Sequence, residues 1–130
     1  MTDVVLDASA VLTTLREESG GDRVAEYIGR AAISAVNLQE VAKEMLREGA
    51  SLEATRAALD ELGLDVRPHD AEAAYQAAAL YPQTRQHGRG LSDRTCMALG
   101  LQLGVPVLTT DWEWGNVVVE GLKIQDVRPG

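Results

Sequence analysis

Short runs of aliphatic residues alternate along the chain with longer stretches of mixed polarity. The runs read VVLD, AAIS, LDVRP, VPVLTTD and LKIQDV, at 4 to 7, 31 to 34, 64 to 68, 105 to 111 and 122 to 127. Runs of this length, rich in β-branched and other aliphatic residues and bounded by polar ones, predict strands. We therefore expect five strands in a sheet that is largely buried.

The stretches between the strands have the composition and apolar spacing of amphipathic helices. They cover 8 to 18, 21 to 29, 36 to 48, 51 to 62, 70 to 81 and 92 to 103. Residues that favour helix starts stand at Ser51, Asp70 and Ser92, and glycines that favour helix ends at Gly49, Gly63 and Gly104. Strands that alternate with helices need right-handed crossovers, which give a mainly parallel sheet with helices on both faces. The predicted fold class is α/β, a three-layer α/β/α sandwich.

Composition limits the classes of protein that the chain can form. Its 130 residues, 45% hydrophobic and 4% aromatic, suit one domain with a core of alanine, leucine and valine. No run approaches the roughly 18 apolar residues of a membrane span, and the N-terminus lacks a signal peptide, so we expect a cytoplasmic protein with no membrane partner. The lone cysteine, Cys96, excludes an internal disulfide and a thiolate zinc site, and is expected in the core.

The charge of the chain is unevenly distributed. A formal net charge of -8 argues against broad binding to nucleic acid, which needs a basic surface. Positive charge is nevertheless concentrated in the segment TRQHGRGLSDR, which contains Arg85, Arg89 and Arg94. A local contact with phosphates therefore stays open, the alternative being a solvated loop.

Two predicted strands end on an acidic residue. Open parallel sheets carry their sites beyond the carboxyl ends of the strands. Asp7 stands at one such end, and Asp111 at another, after Thr109 and Thr110. If these strands are neighbours, both carboxylates lie at one edge of the sheet. The alternative is that each aspartate only caps the structure that follows it.

A third acid, Asp93, belongs to the buried face of its predicted helix. In LSDRTCMALGLQLG, the apolar residues Cys96, Met97 and Leu101 stand three, four and eight positions after Asp93. An unpaired buried charge is costly, so this carboxylate needs donors, a cation or an opening to solvent. The N-terminus of the helix supplies part of that need, and simple capping is the alternative.

Glu40 has no such support from periodicity. In VNLQEVAKEMLREG, the apolar stripe consists of Leu38, Val41, Ala42 and Met45. Glu40 lies roughly opposite that stripe. Periodicity alone therefore predicts a solvated surface acid.

Four segments follow one another along the chain: VVLDASAVL, ISAVNLQEVAKEML, LSDRTCMALG and VLTTDWEW. Together, in this order, they resemble the PIN-domain ribonuclease family, and most of all its VapC-type toxins of toxin–antitoxin pairs. The resemblance covers nearly the whole chain and implies a single PIN-like domain over residues 1–130. It matches the acidic residues of the family to Asp7, Glu40, Asp93 and Asp111, and a serine to Ser9. A further acid or amide after the last aspartate is matched by either Glu113 or Asn116.

The resemblance implies a divalent-metal-dependent endoribonuclease. Close carboxylates repel by about 4 kcal/mol per pair at an effective dielectric of about 20, so they need a cation or protons. Oxygen ligands favour Mg²⁺ or Mn²⁺, which activates water for phosphodiester hydrolysis. Asp7, Glu40, Asp93 and Asp111 are then the catalytic and metal-binding residues. Ser9, Thr110 and Glu113 would support them, and Arg85, Arg89 and Arg94 would contact RNA.

The same resemblance implies a cognate antitoxin protein and a homodimer as partners. Other classes fit less well. A haloacid-dehalogenase-type phosphotransferase has a second aspartate where this chain has Ser9, and a receiver domain needs an acid pair and a late lysine that are not seen. A non-catalytic PIN-like module that binds protein or RNA is the remaining alternative.

Overall fold

A computed structural model describes residues 1–128. Its strands are β1 (Val4–Leu6), β2 (Ala31–Ser34), β3 (Asp65–Arg67), β4 (Val107–Thr109) and β5 (Ile124–Asp126). Its α-helices are α1 (Ala8–Leu15), α2 (Gly21–Ala25), α3 (Ala35–Arg47), α4 (Leu52–Glu61), α5 (Ala71–Ala78) and α6 (Leu91–Leu103). Two 3₁₀ helices follow, at Tyr81–Gln83 and Trp112–Asn116. Every predicted strand and helix is present, although α1, α2 and α5 end three or four residues earlier than predicted.

The five strands form one parallel sheet in the order β3-β2-β1-β4-β5. The chain moves outward from β1 to β3, then crosses to the other side of β1 and continues from β4 to β5. In the β1–β4 pair, Val5 lies opposite Val107 and Leu6 opposite Leu108. The change of direction between β1 and β4 is the point where open α/β sheets place their sites. The predicted α/β class is confirmed, with a sheet that is wholly parallel.

Successive residues of β1 face two separate hydrophobic cores, as the pleat of a strand requires. Val4 and Leu6 pack in the core that contains α1, α3 and α4. Val5 faces the other core, with Met97 of α6 and the buried indole of Trp114. Helices therefore cover both faces of the sheet, which confirms the three layers.

The second core brings α6 unusually close to β4. A Cβ atom added to Gly100 of α6 would lie 2.4 Å from Cγ1 of Val107 in β4. The free thiol of Cys96 is fully buried in the same core, as predicted. Within residues 1–128, no helix has the length and apolar character needed to cross a bilayer.

The predicted capping residues hold with one correction. Ser51 and Asp70 cap α4 and α5 through their side chains, and α6 ends at Gly104 in the left-handed conformation. Ser92 does not cap α6, because the helix already begins at Leu91 and Gly90 occupies the capping position. Ser92 lies within the first turn, where its hydroxyl is available for a contact outside the helix.

Candidate active site

Asp7 follows β1 directly and is held by three donors. Its Oδ1 accepts hydrogen bonds from the amide of Ala10 at 2.8 Å and the hydroxyl of Ser9 at 2.7 Å. Its Oδ2 accepts from the hydroxyl of Thr109 at 2.6 Å. The residue is only 6% exposed. Asp7 is thus the N-cap of α1, as one alternative predicted, and it also lies at the sheet edge beside β4.

The environment of Asp7 makes its negative charge costly. Burial raises the pKa of Asp7 from 3.8 to about 6, and the charge of Asp93 adds to this rise. The hydrogen bonds from Thr109, Ser9 and Ala10 lower the pKa but do not cancel the effect of burial. Near neutral pH the side chain is therefore mostly ionised. Because its charge is buried, binding of a positively charged group beside it would be favourable.

Asp111 is joined to Asp7 through the end of β4. Its amide donates to Oγ1 of Thr109 at 3.0 Å, the atom that itself donates to Asp7. The amide of Thr110 donates to Oγ of Ser9 at 3.0 Å. The threonine hydroxyl that contacts Asp7 is therefore that of Thr109, whereas Thr110, the predicted supporting residue, takes part through its backbone.

The side chains of Glu113 and Asn116, the two candidates for a further acid or amide after Asp111, do not join this network. Asp111 caps the following 3₁₀ helix by accepting from the amide of Glu113 at 3.0 Å. The Glu113 side chain is exposed and its carboxylate makes no hydrogen bond within residues 1–128. Asn116 is also exposed and donates to the carbonyl of Glu113 at 3.4 Å. The choice between Glu113 and Asn116 stays open.

Asp93 lies in the first turn of α6 and is half-buried. Its pKa is raised, first by burial and further by the charges of Asp111 and Glu40, while the amide of Gly90 and the charge of Arg94 lower it. Cys96 and Met97, on the same side of the helix, are fully buried. The predicted position at the head of the buried stripe is confirmed.

Glu40 contradicts the prediction from periodicity. It is half-buried, and its Oε1 accepts from Nδ2 of Asn37 at 3.0 Å while its Oε2 accepts from the hydroxyl of Ser92 at 2.9 Å. The expectation of a solvated surface acid was wrong because periodicity reports only the face of α3 toward the sheet. The start of α3 also contacts α6, where Ser92 lies. The only signal for Asn37 was its spacing, three residues before Glu40 on the same helix face.

The four carboxylates form one electrostatically coupled set. Asp7 is affected by Asp93, and Asp93 by Asp111 and Glu40. No three histidine, cysteine or acidic side chains within residues 1–128 are close enough together to ligate one metal ion. The four side chains offer only carboxylate oxygens, and their negative charges repel one another. Oxygen ligands of this kind suit a hard divalent cation such as Mg²⁺ or Mn²⁺.

The predicted RNA-binding arginines differ in their surroundings. Nε of Arg94 donates to the hydroxyl of Thr84 at 2.7 Å, and its guanidinium lies 5.4 Å from the centre of the Tyr81 ring. Arg85 and Arg89 are exposed and form no ion pair within the described part of the chain. Arg85 and Arg89 therefore have accessible charges, while Arg94 is held by local contacts.

Several solved structures share this architecture. VapBC from Salmonella typhimurium, solved bound to DNA, is 20% identical, with a TM-score of 0.72 over 98% of this chain and 99% of that chain. A toxin–antitoxin complex from Klebsiella pneumoniae is 16% identical, with a TM-score of 0.74 over 92% and 95% of the two chains. FitAcB from Neisseria gonorrhoeae is 18% identical, with a TM-score of 0.72 over 95% and 97%. At these identities the similarity establishes the fold alone.

Comparison of the sequence with protein-family models identifies the family of the chain. No curated protein sequence matches the chain significantly. The family model of the PIN domain, however, matches residues 4–119. That segment contains β1 to β4 and all four coupled acids, from Asp7 to Asp111. The chain therefore belongs to the PIN domain family.

Proposed function

We propose that this protein is a divalent-metal-dependent endoribonuclease and the toxin of a toxin–antitoxin pair. The observation that carries the proposal is the coupled set of four acids at the carboxyl edge of a PIN-family sheet: Asp7, Glu40, Asp93 and Asp111. The toxin role is supported by fold similarity to proteins solved as VapBC and toxin–antitoxin complexes.

The acids would hold Mg²⁺ or Mn²⁺, which when bound supplies an activated water and neutralises charge on a phosphodiester. The remaining roles belong to the chain. Ser9, together with Thr109, fixes the carboxylate of Asp7 through direct hydrogen bonds. The Thr110 amide orients Ser9, and Glu113 or Asn116 would supply the further acid or amide after Asp111.

RNA binding would depend on the basic segment before α6. Arg85 and Arg89 project their charges into solvent and would contact phosphates of a flexible strand. Arg94 lowers the pKa of Asp93 and would place positive charge beside the acids. These contacts compensate locally for a chain whose net charge is -8.

The proposed role also implies where the protein acts and with what. A ribonuclease that attacks cellular RNA would work in the cytoplasm, and a toxin needs a cognate antitoxin to restrain it. The excess negative charge would favour an antitoxin segment that carries basic side chains toward the acids. We propose a homodimer as the assembled form. The alternative function is a non-catalytic PIN-like module, which the presence of all four acids disfavours.

The direct test is cleavage of a structured RNA pool by partner-free protein in Mg²⁺, Mn²⁺ or EDTA. We expect discrete cuts that need the divalent ion and disappear in Asp7→Asn. The matched control is Asp3→Asn, which changes a partly exposed acid that precedes the same strand and pairs with Arg30. Folded wild-type protein that cuts nothing would favour the binding module, and cutting by Asp7→Asn would refute the role of the acids.

A further inference from the structure

Asn37 and Ser92 bind the same carboxylate from two different helices. Asn37 lies one turn before Glu40 on α3, and Ser92 lies in the first turn of α6. We infer that Asn37 and Ser92 are positioning residues that hold the carboxylate of Glu40 at the acidic site. The inference rests on the proposed nuclease function and assigns two residues that the family resemblance does not identify.

The geometry of the three side chains fixes the orientation of the carboxylate. Oε2 of Glu40 accepts from Oγ of Ser92 at 2.9 Å, and Oε1 accepts from Nδ2 of Asn37 at 3.0 Å. The same Nδ2 also donates to the backbone carbonyl of Ser92 at 3.2 Å. With a donor on each oxygen, the long glutamate side chain loses the rotational freedom that it would keep on an exposed helix face.

The amide of Asn37 has only one orientation that satisfies these contacts. Both of its neighbours, the Glu40 carboxylate and the Ser92 carbonyl, are acceptors, so the nitrogen must face them. Asn37 is 1% exposed, and its Oδ1 has no hydrogen-bond partner within residues 1–128. A buried, unpaired amide oxygen is costly. An apolar side chain would avoid that cost, so packing alone does not explain an asparagine here.

The position of Glu40 explains why such support is needed. Its helical phase directs it away from the sheet, while its charge raises the pKa of Asp93 on the neighbouring helix. Bringing like charges together requires donors that hold them there. Ser92 and Asn37 supply these donors where α3 meets α6. They thereby hold the Glu40 carboxylate beside the three aspartates near the sheet edge.

The test compares Ser92→Ala with Ser92→Thr, which keeps the hydroxyl. We expect Ser92→Ala to weaken Mn²⁺ binding by about tenfold, measured by calorimetry on partner-free protein, because removing groups that orient metal ligands typically has effects of this size. In RNA cleavage, kcat should fall by about the same factor with KM unchanged, and Ser92→Thr should restore both values. Asn37→Leu, which keeps the branched shape of the side chain but removes the amide, should behave like Ser92→Ala.

Two comparisons separate positioning from loss of stability. Ser51→Ala removes a serine cap from α4 and should lower stability without changing Mn²⁺ affinity. In a Glu40→Gln background, Ser92→Ala should have much less effect than in the wild type, because the group that it orients has lost its charge. An undiminished effect in that background, or wild-type Mn²⁺ affinity in Ser92→Ala, would overturn the inference.

One readout does not depend on the proposed function. Relaxation of ¹³C-labelled glutamate side chains should show that Glu40 is ordered in the wild type and becomes mobile in Ser92→Ala and Asn37→Leu. If the wild type neither binds Mn²⁺ nor cuts RNA, the nuclease proposal fails, but the relaxation measurement still tests whether Asn37 and Ser92 order Glu40. If Glu40 is equally mobile in all three proteins, the positioning role fails whatever the activity.

Discussion

The hydroxyl of Thr109 donates a 2.6 Å hydrogen bond to Oδ2 of Asp7, although the two residues are 102 positions apart in the chain. Its oxygen also accepts from the amide of Asp111. One side chain at the end of β4 therefore connects the two acids that follow the two neighbouring strands at the centre of the sheet.

Replacement of Thr109 by valine removes this donor with little change of volume. We expect the pKa of Asp7 to rise above about 6, because the Thr109 hydrogen bond lowers it. Hydrogen bonds to charged groups are worth about 1.5–3 kcal/mol, so the free energy of unfolding near neutral pH should fall by about that amount. Carboxyl ¹³C titration and urea unfolding measure the two effects. Thr110→Val is the control, and an unchanged Asp7 pKa in Thr109→Val would contradict the assignment.

Stability should decrease as pH rises from about 4 to about 6. In this window folded protein keeps a proton on Asp7 that unfolded protein releases, since the pKa is 3.8 unfolded and about 6 folded. The difference corresponds to roughly 3 kcal/mol. The raised pKa of Asp93 acts in the same direction.

Asp7→Asn isolates the contribution of Asp7 to this pH dependence. The stability of the variant relative to the wild type should be highest at neutral pH and should fall toward about pH 3, where Asp7 is neutral in both folded and unfolded protein. Urea unfolding at several pH values provides the measurement. A difference that does not change with pH would mean that the charge of Asp7 is not the cause.

Close packing of α6 on β4 makes Gly100 sensitive to substitution. A Cβ at Gly100 would meet Val107 at 2.4 Å, so Gly100→Ala should lower the free energy of unfolding by about 1–3 kcal/mol. A Cβ at Gly115 would meet no atom within 4 Å, so Gly115→Ala serves as the control. Val107→Ala should restore part of the loss in the Gly100→Ala background. Equal stability of the two glycine variants would show that the contact relaxes freely.

Cys96 should be unreactive in the folded protein. Burial raises the pKa of its thiol well above the usual value, and the charges of Asp7, Asp93 and Glu40 add to the effect. The thiolate is the reactive form, so a disulfide reagent should label one thiol per chain in urea and essentially none under native conditions. Rapid native labelling would mean that the core opens readily around α6.

Much of the fold was visible in the sequence because its strands are short, aliphatic and separated by periodic helices. The same regularity located Asp7 and Asp111, since each acid directly follows a recognisable apolar run. Asp93 could be placed because its phase coincides with buried Cys96 and Met97. These inferences needed only the relation of each residue to its own strand or helix.

Contacts between elements could not be predicted in this way. Periodicity puts Glu40 on the solvated side because the apolar stripe of α3 reflects only its contact with the sheet, and nothing local indicates that α6 passes beside its first turn. Ser92 is a common type of capping residue, but Gly90 takes that position. The sequence predicts Thr110 as the supporting residue, whereas the Thr109 hydroxyl contacts Asp7, because the exact end of β4 is not fixed by the side chains alone.

The position of β4 beside β1 affects when the acidic site can form during synthesis. The first strands and their helices leave the ribosome well before β4, and chains fold as they emerge. Until Val107–Thr109 pair with β1, Asp7 lacks the hydrogen bond from Thr109, and the amide of Asp111 lacks its acceptor beside Asp7. Parallel pairing over such a separation is slow. A chain that has not yet placed β4 beside β1 would therefore carry an incomplete set of acids, with Asp111 not yet fixed beside Asp7.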